Sequence, residues 1–136
     1  MSKHNWKYVD PRPLTPLQIF DASVKHILEQ GKPSVSSNGS CAYRTECGLQ
    51  CGASIFISDD EYSEGCEGLP ASFLPEECDV LSDVKPKQIL AIEAAQSCHD
   101  TALTPRGDFI TNYKQKIKEK RKRFENTNSN CNGETQ

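Results

Sequence analysis

The sequence predicts a small α+β domain, about three helices packed with one β-hairpin around a single core, plus a disordered tail. Three observations carry that expectation. A capped, amphipathic stretch runs over 15–30, an alternating pattern folds about Gly48 over 41–57, and a run of small and apolar residues extends from about Lys85 to Ala102. At 136 residues the chain fits one domain, and 35% apolar residues imply a modest core.

Residues 1–14, with two prolines, read as an extended arm whose Trp6 and Tyr8 pack onto the domain. The core domain is placed at 15–107. Thr15 opens its first helix as N-cap, with Pro16 at the first helical position and Gln18 completing a capping box. Leu17, Phe20, Val24, Ile27 and Leu28 supply an apolar face, and Gly31 with Pro33 ends the helix. After a polar loop over 33–40, Cys41 to Thr45 forms one predicted strand, Glu46-Cys47-Gly48 the turn, and Leu49 to Ile57 the return strand. In that register Thr45 faces Leu49 and Tyr43 faces Cys51. Cys41, Tyr43, Leu49, Cys51, Ala53 and Ile55 then share the core face, with Arg44, Gln50 and Ser54 opposite.

Ser58 and Glu61 suggest a second capping box and a short helical turn. Residues 63–83, with Gly65, Gly68, Pro70 and Pro75, read as an ordered loop anchored by Phe73 and Leu74. The second helix, about Lys85 to Ala102, presents Ala91, Ile92, Ala94, Ala95, Cys98 and Ala102 on one face. Thr104, Pro105 and Gly107 break the chain. A basic helix over 108–125 follows, with Ile110, Tyr113, Ile117 and Phe124 as its seam, and 126–136 has no apolar driving force and reads as a disordered tail.

The net charge of −3 conceals an asymmetry. Asp59 to Asp83 holds nine acids and no Lys or Arg, whereas Lys114 to Arg123 holds seven basic residues and one acid, Glu119. Each block can face solvent, pair with the other, or meet a partner of opposite charge. The basic residues Lys114, Lys116, Lys118, Lys120, Arg121, Lys122 and Arg123 are therefore the candidate partner-binding site. A sequence pI of 5.6 and the absence of aromatics among the lysines favour a protein over nucleic acid as that partner. Binding of nucleic acid through the same helix stays open as an alternative.

Seven cysteines is an odd number, so a closed disulfide framework leaves one thiol over. Cys41, Cys47, Cys51, Cys66 and Cys78 with His99 contain enough ligands for zinc, and a small zinc-stabilised module is a further alternative. The spacings lack a C-x₂-C knuckle, so buried thiols are the expectation, with no metal and no cofactor. Cys98 and His99 are adjacent, so on a helix their side chains diverge and cannot pair. His26, on a helix flank, and His4, in the arm, have no neighbour that makes either a base. Asp59, Asp60 and Glu61 lack the ligand alternation of a calcium loop, and no P-loop or dinucleotide fingerprint occurs. An enzyme is therefore not expected. No apolar run has the length of a membrane span, and the N-terminal MSKHNWKYVDPRP lacks a signal's apolar stretch, so a cytoplasmic location is expected.

The stretch Cys41-Ala-Tyr-Arg44, then Gly48-Leu-Gln-Cys51-Gly, then Ile57-Ser-Asp-Asp-Glu-Tyr62 and Glu67-Gly68, resembles a group of small uncharacterised proteins of tailed phages and bacteria. Gln96-Ser-Cys-His99-Asp100 resembles the helix that follows in that group. The likeness covers roughly residues 15–102. It implies a phage or mobile-element origin and brings no activity with it. Small phage proteins of this kind often bind and modify or inhibit host machinery. The expected function is thus a non-catalytic, phage-type accessory protein that binds and modulates a host macromolecule, a host protein first.

Overall fold

The computed structural model describes residues 6–36, 41–103 and 108–133, with side chains up to Glu125. Among these residues four α-helices form, in chain order α1 (Pro16–Gln30), the single turn α2 (Asp79–Ser82), α3 (Pro86–Thr101) and α4 (Phe109–Gly133). Three 3₁₀ segments, Ser54–Phe56, Glu64–Cys66 and Ala71–Glu76, lie between α1 and α2. Helices α1, α3 and α4 pack against one another, and the segment between α1 and α3 closes the remaining side. Among the described residues there is no strand, only the isolated bridges Val35–Cys41 and Arg44–Gln50. The fold is helical, and the α+β expectation with its hairpin is corrected.

The physical reason lies in who satisfies the backbone. The turn forms at Gly48 (φ +91°), with Thr45 N–H donating to Leu49 O at 3.0 Å and Cys51 N–H to Tyr43 O at 3.2 Å. Beyond that, side chains replace a strand partner. Gln30 Oε1 accepts the Gln50 N–H at 2.9 Å, Gln96 Oε1 accepts the Ala53 N–H at 2.8 Å, and Thr45 Oγ1 accepts the Leu49 N–H at 3.0 Å. Glu67 takes the N–H groups of Tyr43 and Arg44 at 2.9 and 3.2 Å. A buried backbone donor needs one acceptor, and an amide or carboxylate side chain serves as well as a neighbouring strand. The segment is then free to curl, and Ser54–Phe56 winds into 3₁₀ helix where extension to Ile57 is the sequence expectation.

Both faces of this segment are buried. Gln50 and Ser54, expected on the outer face, are covered by the N-terminal arm. The Gln50 amide clasps Lys7 from both sides, accepting its N–H at 2.8 Å and donating to its carbonyl at 3.0 Å, and Val9 N–H donates to Ile55 O at 2.7 Å. Gln88 of α3 holds the arm's end, its Nε2 donating to the carbonyls of Leu14, Arg12 and Pro11. His4 lies outside the described residues, as do the loop positions 37–40, Pro105, Gly107 and residues 134–136.

The Thr15–Gln18 capping box forms, and Gly31 ends α1 at φ +79°. The buried side of α1 differs from the expected one. Ile19, Phe20, Ser23, His26 and Ile27 are buried, whereas Leu28 is 39% exposed. The helix is covered on two sides, by α3 and by α4 with the 50–52 segment, which draws polar Ser23 and His26 inward. Ser23 Oγ donates to Gly52 O at 2.7 Å, and His26 Nε2 lies 3.1 Å from Gln50 O. At Ser58–Glu61 a simple turn forms, because the Glu61 carboxylate reaches the Val80 N–H of α2.

Helix α4 begins where the sequence places it and its backbone runs as helix to Gly133, past the expected end at Glu125 and into the segment read as a disordered tail. Phe124 packs on Phe20 of α1 at 5.4 Å between ring centroids. Phe109 stacks on Tyr113 and meets the edge of His99 of α3, both at 5.6 Å. These rings are the seam that seats a charged rod on two other helices.

Candidate functional site

The residues with the most chemistry meet around Cys41. Cys41, half-buried, lies between two clefts of about 360 and 570 Å³. Tyr43, Gln96 and Asp100 line the smaller one, and Arg44, Tyr62, Glu64 and Glu67 the larger. Ligand atoms of Cys41, His99 and Asp100 all lie within 4.8 Å of one another. Cys41 meets the last turn of α3 across 57 intervening residues, so spacing along the chain could not have shown the trio.

The order of hydrogen bonds decides what the trio can do. Ser34 N–H donates to His99 Nε2 at 2.9 Å, so the neutral ring carries its proton on Nδ1, which donates to Asp100 Oδ1 at 2.9 Å. Gln96 Nε2 donates to the same carboxylate oxygen at 2.9 Å, and the Cys41 thiol donates to Asp100 as well. The thiol and the imidazole thus share one carboxylate as hydrogen-bond acceptor. Burial first, and the adjacent carboxylate second, push the Cys41 thiol up to about 12. A thiol held protonated is a poor nucleophile.

A metal fits no better. A histidine that ligates through one ring nitrogen normally donates a proton from the other. Here Nδ1 is the atom facing the trio, while Nε2 faces the Ser34 N–H, a donor. A cation on Nδ1 would require the ring to lose both protons or Ser34 to turn away. The remaining thiols are scattered. Cys47 is exposed at the turn, Cys51 is buried, and Cys66 and Cys78 contact each other in the core beside Glu61, burial pushing Cys78 up to about 12. Burial likewise holds Cys98 at about 11. The side chain of Cys131 lies outside the described residues.

The Tyr43-Arg44, Asp59–Tyr62 and Glu67 stretches converge on one structural knot. Arg44, with a side chain only 7% exposed, lies between the rings of Trp6 and Tyr62, at 4.8 and 4.5 Å from their centroids. Its Nη2 donates to Ile57 O at 3.2 Å and pairs with Asp59 at 2.9 Å. Glu67, beside it, accepts from the Tyr62 hydroxyl and from two backbone N–H groups. Desolvated cation–π contacts of this kind contribute about 1–2 kcal/mol each. The knot therefore fastens the arm, the Gly48 turn and the 58–67 segment together.

The basic residues divide by face. Arg121 is the anchor: its Nε and Nη2 each lie 2.8 Å from a carboxylate oxygen of Asp21 in α1, and Nη1 pairs with Glu125. Lys116 and Lys120 are half-buried on the side toward α3, near Cys98, and Arg123 lines a groove there with Lys120. Lys114, Lys118 and Lys122 are exposed. Four of the nine acids of 59–83 meet partners other than α4: Asp59 meets Arg44, Glu61 caps α2, Glu67 caps the turn, and Asp83 approaches Arg12 at 3.7 Å. Of the two expected loop anchors, Leu74 is buried but Phe73 is 53% exposed, so only Leu74 anchors the loop; sequence inspection did not single out the exposed Leu90, for which a leucine at the rim of an alanine-rich face was the available signal.

Among the described residues no helix is long and apolar enough to cross a membrane. No protein-family model, no curated protein and no solved structure matches this chain.

Proposed function

We propose that this chain is a non-catalytic accessory protein of the phage type, which works in the cytoplasm by docking an acidic surface of a host protein on the outer face of α4 and so modulating that protein. The observation that carries this reading is the stripe Lys114, Lys118 and Lys122, all exposed. Residues four apart share one side of a helix, and like charges so placed weaken it by a few tenths of a kcal/mol per pair. Attachment of α4 falls to other residues, Tyr113, Phe124 and Arg121. The stripe thus opposes folding slightly and offers an electrostatic contact to something outside the chain. The protonated state of Cys41 supports binding over nucleophilic chemistry.

The test compares wild type with the triple variant Lys114→Gln/Lys118→Gln/Lys122→Gln in affinity capture from host lysate. The reading expects one host protein to be retained by the wild type and lost by the variant, with melting temperature unchanged or raised. Capture that is equal for both rejects the stripe. Binding to unrelated DNA duplexes that falls steeply with salt would transfer the same face to nucleic acid.

A further inference from the structure

We propose that the chain associates with itself head to tail, the acidic turn around Phe73 of one copy seating in the groove between α3 and α4 of the next. The groove, about 320 Å³, is lined by Leu90, Glu93, Ala94 and Ser97 of α3 and by Lys120 and Arg123 of α4. Leu90 is 56% exposed, an apolar side chain at the mouth of a cationic cleft. Ala94 and Ser97 make its floor shallow in side-chain bulk, so an incoming group can approach the helix closely. Two cations against the single acid Glu93 leave the groove net positive.

The complementary feature is on the same chain. Phe73, in the 3₁₀ segment Ala71–Glu76, is 53% exposed, and Glu76, Glu77 and Asp79 beside it are exposed too. An exposed aromatic followed by three exposed acids matches, in sign and in its one apolar contact, a cationic groove with Leu90 at its mouth and Lys120 and Arg123 along its wall. The two surfaces belong to different sides of α3. Leu69 and Pro70, which lead into the Phe73 turn, border the cavity of Gln96 and Asp100. At 100° per residue, those positions stand roughly 80–120° around α3 from Leu90. A knob and a groove on different faces of one chain make a heterologous contact, which extends into open oligomers and does not stop at a two-fold dimer. This association uses the α3 side of α4 and leaves the Lys114–Lys118–Lys122 stripe free for another partner.

Sedimentation of the full chain, kept reduced because Cys47 is exposed, tests the idea over a wide concentration range at low and at physiological salt. The expected result is a mass that climbs past dimer with concentration and falls back as salt rises. Phe73→Ser and Leu90→Gln should each weaken association by roughly tenfold or more, as removal of a buried interface anchor does. Both side chains are more than half exposed, so folding, checked by melting temperature, should be retained. A mixture of the two variants keeps one intact knob and one intact groove, and should form heterodimers and nothing larger. A wild type that stays monomeric throughout, variants that associate like wild type, or a mixture that fails to pair would each overturn the proposal.

Discussion

Arg121 grips Asp21 with two parallel hydrogen bonds of 2.8 Å, joining α4 to α1 across a hundred residues. The pair is planar and bidentate, the geometry in which a surface ion pair contributes most. Both side chains remain more than a third exposed, so solvent screens them. Arg121→Gln is expected to cost about 0.5–1 kcal/mol, more at low salt than at high salt. A double-mutant cycle with Asp21→Asn should assign most of that loss to the pair. Removing Lys118 and Lys122 should carry no such cost. The seven cations of α4 therefore separate experimentally into an anchor and an unanchored set.

Gln96 is the second test. Its Oε1 takes the buried Ala53 N–H, and its Nε2 steadies Asp100. Gln96→Leu keeps most of the volume but leaves the Ala53 donor without an acceptor in the core. The expected loss is about 1–3 kcal/mol, read from urea denaturation. A loss below about 0.5 kcal/mol would mean that the 52–57 segment finds another acceptor by shifting.

Gln96 also shows where the sequence was legible and where it was not. Local rules placed α1, α3, the start of α4 and the Gly48 turn, because caps, prolines and glycine conformations act within a few residues. The hairpin misreading came from the same locality. Alternation over 49–57 is a true record of burial, but it cannot say that Gln30, Gln96 and Glu67 will supply the hydrogen bonds a strand would have supplied. A glutamine on an apolar helix face was the available hint, since Gln88, Ile92, Gln96 and His99 recur at helical spacing on α3. Cys41 and His99 were candidate ligands on residue type alone, but nothing local links residue 41 to residue 99, so their meeting with Asp100 had no sequence signal.

The thiols give a third expectation. With a thiol reagent at neutral pH, Cys47 should react first among the cysteines with described side chains, since it alone is exposed. Cys41 should follow slowly despite its partial access, its proton being held by Asp100, and Cys51, Cys66, Cys78 and Cys98 should react only on unfolding. The reduced protein should bind less than one equivalent of zinc, and a chelator should leave its melting temperature unchanged. Stoichiometric zinc with unfolding on chelation would show that Ser34 releases His99, and would make the trio a metal centre after all.

The last expectation concerns acid. His26 is buried against α1's neighbours, and burial holds its pKa below the ordinary value, despite the opposing hydrogen bond to Gln50 O. In the folded state the ring therefore stays neutral at pH values where the unfolded chain, titrating near 6.5, already takes up a proton. Between those two pKa values the unfolded state binds more protons, so stability falls as pH falls. The decline begins as pH drops through about 6.5 and ends once the folded-state pKa is passed, since both states are then protonated. Above about pH 7.5 neither state carries the proton and this contribution to the slope vanishes. His26→Gln retains a donor for Gln50 O but cannot titrate. Urea midpoints measured at about pH 7.5, 6.5 and 5.5 should fall for the wild type and fall less for the variant. Parallel declines in the two proteins would assign the acid sensitivity to other groups and remove His26 from the account.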